Sequence, residues 1–198
     1  MGGSTLIDIV SSMLISGLLL LVALQMDEKA VQNTYNSQAS LTVQQNLTSV
    51  VELLEYDFRK IGYCKTSDLI PAPRYCISYG DTSTIWFVYD VNNSGSLDTI
   101  KYWLGGTIPH SPNPDVRYFY RQVDGGTPAE ANLGITQFTI KYYDTFGNSI
   151  STPFYAPNMV QVVTITIRVE PTAAYDSTYS TNYAVWRQTR LVSRNLKR

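Results

Sequence analysis

A chain of 198 residues with a formal net charge of −1 is long enough for one globular domain and an extension, and too short for two full domains. Its 15 basic and 16 acidic residues cancel, which excludes a partner held by bulk charge, such as nucleic acid or an acidic surface. The 15 tyrosines, with Thr and Val, predict a β-rich body, and two cysteines with the single His110 are too few for a four-ligand zinc site.

The chain begins Met-Gly-Gly-Ser-Thr-Leu-Ile-Asp and continues as an uncharged apolar run from Ile9 to Leu24. The run is about 16 residues, a little under the ~20 that cross a bilayer, and its flanks can extend it. A cleaved secretory signal would carry Lys or Arg ahead of the run. Here no basic residue precedes Lys29, and Asp8 stands where the positive charge belongs. A plain membrane anchor leaves the acid unexplained, because an unpaired carboxylate in that position costs ~2.5–3.5 kcal/mol on insertion scales. The acid therefore calls for a partner.

Helix breakers are nearly absent: no proline precedes Pro71, and the only glycine between Ser4 and Ile61 is Gly17. After a polar stretch from Gln32 to Gln45, Leu47, Val50, Val51, Leu54, Phe58 and Ile61 recur at helical spacing and form one apolar stripe. Gly62 supplies a stop, with Arg59 and Lys60 in the last turn. The spacing predicts one helix from Thr5 to Ile61, ~85 Å long, its first part in lipid and its stripe against a globular body.

Cys64 and Cys76 flank a polar loop with Pro71 and Pro73. A body outside the cytosol would join them as a disulfide, a staple contributing ~3 kcal/mol in the chain-entropy model. The spacing is not the Cys-x-x-Cys of a redox pair. From Tyr79 onward the period becomes two. Strands are predicted around Ile85–Tyr89, Ile100–Leu104, Val116–Tyr120, Phe138–Tyr142, Val163–Val169 and Tyr183–Val192, forming one antiparallel sheet. Asn93-Ser94-Gly95, Gly105-Gly106, Gly125-Gly126 and Phe146-Gly147-Asn148 are the predicted turns. The fold class is α+β, with one sheet face covering the helix stripe.

Chemistry-bearing motifs are sparse. His110 lies in a proline-rich loop tip, and no Gly-x-Ser-x-Gly, P-loop or His-Glu-x-x-His occurs. The expectation is a non-enzymatic protein without catalytic residues. Asp90, Asn92, Ser94 and Asp98, with Gly95 at the sixth position, resemble the start of a calcium loop, but Lys101 holds the twelfth place and a hairpin turn explains the segment equally well. Calcium (Ca2+) is the one candidate cofactor. Arg187, Arg190, Arg194, Lys197 and Arg198 could meet DNA phosphates or anionic headgroups. A solvated last strand with a charged tail accounts for them as well.

The opening residues resemble a prepilin N-terminus, in which Gly precedes a residue that is usually Phe, then Thr-Leu-Ile-Glu and an apolar helix. Gly3 and Thr5-Leu6-Ile7 match; Ser4 replaces the Phe and Asp8 replaces the Glu. The segment from Leu54 to Cys64 resembles the Leu-x-x-Asp-x-Arg-x-x-Gly-Tyr pattern of minor pilins of the PilW kind. The J-type minor pseudopilins of type II secretion have a looser version. Residues Ile135 to Gly147 and Arg190 to Leu196 are similar to the same group.

The resemblance implies a type IV pilin fold. It also implies cleavage after Gly3 by a prepilin peptidase, N-methylation of Ser4, and pairing of Asp8 with a neighbouring subunit's terminal amine. The organisation it implies is a leader remnant at 1–3, a membrane and filament-core helix at 4–28, an amphipathic continuation at 29–62 and a periplasmic head at 63–198. The implied partners are other pilin or pseudopilin subunits, the peptidase, an inner-membrane assembly platform and the bilayer. A membrane-tethered binding, adhesion or DNA-capture module that never polymerises is the alternative, and it has no need of the Gly3 and Asp8 arrangement.

Overall fold

The structure, a computed structural model, describes residues 3–155, 160–172, 184–191 and 194–197. One helix, α1, runs from Gly3 to Arg59, close to the predicted span. The chain divides into two compact units, Met1–Ala39 and Ser40–Arg198. The boundary between them falls within the segment 29–62.

In the first unit every described side chain from Thr5 to Tyr35 is exposed. Helix formation there follows from local preference: Leu and Met lose little rotamer freedom in a helix, and breakers are few. The hydroxyls of Ser11 and Ser12 donate back to Ile7 O at 2.7 Å and Ile9 O at 2.9 Å, so two of the three serines inside the apolar run are satisfied within the helix.

In the second unit the last turns of α1 lie on a β body. Val43, Val50, Leu54, Asp57 and Phe58 are buried, and Leu47 packs at the margin. The spacing of three and four keeps one stripe inward. Asn46 Nδ2 donates to Leu133 O at 3.3 Å, fixing the outer end of this contact. The stop is built around Gly62. Its φ of +73° is left-handed, its N–H donates to Val88 O at 2.7 Å, and a Cβ there would stand 2.5 Å from Cys76 Sγ.

A short 3-10 turn (Ser67–Leu69) and a single helical turn, α2 (Pro73–Cys76), lead into the strands. Among the described residues these are β1 (Ile77–Gly80), β2 (Thr84–Tyr89), β3 (Asp98–Thr107), β4 (Arg117–Val123), β5 (Ala129–Ala131), β6 (Ile135–Tyr143), β7 (Phe154–Tyr155), β8 (Val162–Val169) and β9 (Ala184–Leu191). They form two antiparallel sheets, not the single one expected: β5-β4-β3-β2-β1-β7 and β6-β8-β9. The six predicted strands are present within a few residues at their ends. The additional β1, β5 and β7 have four residues or fewer, too few for a period of two to stand out.

Three of the predicted turns hold. Asn93 and Gly95, Asp124 and Gly125, and Gly147 all take positive φ. Gly105-Gly106 does not turn the chain; both lie inside β3 at a register shift opposite β4.

The two sheets share one core. Phe119 of β4 meets Phe138 of β6 edge-on at 5.0 Å, and Ile140 N donates to Thr82 O in the β1–β2 turn at 2.8 Å. Tyr142 reaches into the same turn, donating to Asp81 O at 3.1 Å. Ile85, Phe87, Ile100, Val163, Ile165 and Ile167 fill the interior.

Candidate functional site

Two sites stand out, one in each unit. In the first unit Gly3 and Ser4 open α1, and Asp8 follows Ser4 by one helical turn. Asp8 is exposed, as are Leu6, Ile7, Ile9 and Val10 around it. The helix is long and apolar enough to cross a membrane, and none of its most apolar window is buried within the protein. The predicted processing and pairing residues are therefore presented together at the start of one helix. Asp8 lies past the first turn of α1, beyond the reach of the helix macrodipole, and it borders a surface that water does not favour.

The second site was not picked out from sequence. Asp57, on the inward stripe of α1, is fully buried. It accepts hydrogen bonds from Tyr89 Oη, from Tyr102 Oη at 2.5 Å and from Arg121 Nε at 2.8 Å. Arg121 Nε also lies 3.0 Å from Tyr102 Oη. The three donors come from β2, β3 and β4, so one carboxylate ties the helix to three adjacent strands. Register explains the convergence. Tyr89, Tyr102 and Arg121 occupy inward positions beside Phe87, Ile100 and Phe119.

The electrostatics fit a neutralised set. Burial, and then the Asp57 carboxylate, push the phenols of Tyr89 and Tyr102 well above the ordinary tyrosine range. Burial opposes the charge on Arg121, but its bond to Asp57 outweighs that and holds the guanidinium protonated beyond its usual range. The sequence signal was available: an acid inside an apolar stripe and an arginine inside an alternating strand both mark charge directed at the core.

The other predicted sites change character. Cys64 and Cys76 are buried free thiols, not the expected disulfide. Each faces a carbonyl instead, Cys64 Sγ at 3.5 Å from Gly95 O and Cys76 Sγ at 3.7 Å from Ala72 O. Burial raises the Cys76 thiol to about 11, which keeps it protonated and unreactive.

The calcium reading of Asp90, Asn92, Ser94 and Asp98 gives way to a self-capped hairpin loop. Asp90 accepts from Ser94 N and Gly95 N at 2.9 Å and from Lys65 N at 3.2 Å; Asn92 accepts from Ser94 N at 2.9 Å, and Asp98 from Val91 N at 2.8 Å. Burial of Asp90 disfavours its charge, but these amides outweigh that and hold its carboxyl below the usual range. The oxygens that would bind a cation thus organise the backbone. Among the described residues no group of three or more His, Cys, Asp or Glu is placed to hold a metal.

His110 is exposed on its loop at φ +59°. The loop is tied down by Asn113, whose Nδ2 donates to Glu170 Oε2 at 3.1 Å. The side chains of the basic group Arg187, Arg190, Arg194, Lys197 and Arg198 lie outside the described residues. No protein-family model, curated protein or solved structure matches the chain.

Proposed function

We propose that this chain is a subunit of the minor pilin or pseudopilin kind. Its helix anchors it in the inner membrane and then enters the core of a type IV pilus-like filament, with the β body as a periplasmic head. One observation carries the reading: an unbroken helix exposes its whole apolar run and places Asp8 at the edge of it. Lipid satisfies the apolar side chains but not the carboxylate. Hydrolysis of the Gly3–Ser4 peptide bond by a prepilin peptidase would free the amine of Ser4. Methylated or not, that amine is cationic and can neutralise Asp8 of a neighbouring subunit as the helices pack. The role is assembly, in priming or tipping a filament, without turnover.

The mass of the mature protein tests the first step. Loss of Met1 to Gly3 together with one added methyl group is expected; an intact N-terminus overturns the reading in favour of a tether that never polymerises. The second step is tested by incorporation into filaments. Asp8→Ala and Asp8→Asn should be excluded while Asp8→Glu enters, and normal incorporation of Asp8→Ala would count against the amine pairing.

A further inference from the structure

The six-stranded sheet has an inner face, which holds α1 and the shared core, and an outer face that no described element covers. Alternation along the strands puts Tyr79, Trp86, Lys101, Trp103 and Tyr120 on that outer face. All five are half-buried, and they pack on one another. Tyr79 lies 4.9 Å from Trp86 and 5.0 Å from Tyr155, and Trp103 stacks on Tyr120 at 5.0 Å with planes 14° apart. Lys101 Nζ sits 4.4 Å above the Trp86 ring, so its charge is drawn onto the aromatic row. Tyr155, on the edge strand β7, is 77% exposed.

The pairing register sets these contacts in two adjacent rows, Tyr79, Trp86 and Lys101 in one and Trp103 and Tyr120 in the next, where Thr84 stands opposite Trp103. Tyr79 is opposite Trp86, Trp86 is opposite Lys101, and Trp103 is opposite Tyr120. At ~4.8 Å per strand, the two rows together cross β1 to β4 over ~14 Å.

We infer that this outer face is a binding platform for an uncharged oligosaccharide, laid across β1 to β4 with its sugar faces on Tyr79, Trp86 and the Trp103–Tyr120 pair. Sugar rings present a flat C–H face that stacks on aromatic rings and an equatorial hydroxyl edge that needs hydrogen-bond partners. The outer positions around the rings are Thr84, Val88, Thr99, Lys101 and Gln122, and all but Val88 supply them. Charge decides against the other polymer that stacks on aromatics. Single-stranded nucleic acid needs a cationic groove along its backbone, whereas here Lys101 is balanced by Glu130, which is paired opposite Tyr120. A partner protein would favour protruding aliphatic side chains between the aromatics, and Val88 is the one aliphatic residue among these positions.

The experiment uses the full chain in a zwitterionic, sugar-free detergent. Hexasaccharides of β-1,4-linked glucose and of β-1,4-linked N-acetylglucosamine are titrated by calorimetry and by tryptophan fluorescence, with oligothymidylate as the competing probe. Saturable binding of at least one hexasaccharide is expected. Trp86→Ala and Trp103→Ala should each weaken it roughly tenfold or more, and the corresponding Phe variants less. Tyr155→Ala, on an exposed edge away from the core, should weaken binding without altering the melting temperature and so guards against a merely unfolded variant. Failure of both sugars to bind overturns the inference. So does binding of oligothymidylate alone, or alanine variants that bind unchanged. Loss of self-association in the same variants without an effect on sugar would assign the face to a second copy of the chain and overturn it too.

Discussion

Within α1, two stretches of the same helix meet opposite fates. From Thr5 to Leu24 the helix is almost wholly apolar, and every described side chain is exposed. From Val43 to Phe58 it is mixed, yet it buries a stripe that includes a carboxylate. Hydrophobicity alone therefore does not decide what goes inside. Asp57 is buried because three strands bring donors to it, while Leu18 to Leu21 stay outside because no part of the described chain comes to them. The same contrast holds for the two acids. Asp57 has its partners within the fold, whereas Asp8 is exposed, and in the proposed filament its partner comes from another subunit.

The largest test of that contrast is Asp57→Ala, which leaves two buried phenols and a half-buried guanidinium facing a void. Removing one partner from such a set costs ~3–5 kcal/mol, which for a chain of this size lowers the melting temperature by roughly 10 °C. Gly62→Ala comes next. The positive φ costs about 1–3 kcal/mol in a residue with a Cβ, and the new methyl must displace Cys76. A thiol reagent should therefore label Cys76 in the folded variant and not in the parent.

Alkaline pH gives a third test. The phenols of Tyr89 and Tyr102 are held above their ordinary value of 10.0, so their contribution to stability is complete below that pH. Above it the unfolded chain releases protons that the folded chain retains, and stability falls as pH rises. Phenolate absorbance should show the surface tyrosines titrating first and this pair only with loss of near-UV ellipticity; ionisation of all tyrosines together in the native state would contradict the assignment. The smallest effects sharpen the comparison from its other side. Arg59 pairs with Glu55 at 3.0 Å on the solvent face of the same turn as Asp57, with its side chain 68% exposed. Arg59→Ala should cost only ~0.3–0.5 kcal/mol, and Asp8→Ala should leave the melting of the head unchanged.

The helix was legible because its signals are subtractive: Gly and Pro are missing across it, and Gly62 ends it. The long strands were legible because Ile165, Ile167 and Val169 alternate with Thr and Arg. What could not be read was tertiary. Strands as short as Phe154–Tyr155 exist only because β1 offers an edge to pair with. The two sheets meet through contacts such as Ile140 N to Thr82 O in the β1–β2 turn, which carry no sequence period. The Asp90 loop was read for its oxygens, but its backbone amides had the prior claim on them. The cysteine pair was read from compartment and spacing, while the fold turns each sulfur towards a carbonyl. Asp57 was in plain view within the apolar stripe, but the three residues that justify it are 32 to 64 positions away.

The way in which Asp57 is held bears on how the head would carry load. A pull along α1 that reaches its last turn meets a carboxylate bonded to β2, β3 and β4 together, and each of these strands is hydrogen-bonded along both of its edges. The force is divided sideways across a sheet before any single strand is asked to peel. Beside it, the Phe58 ring against Phe87 at 5.0 Å adds a contact that slides before it parts. The joint is thus graded, with a soft apolar bearing around a stiff ionic pin, and it would fail last at the pin.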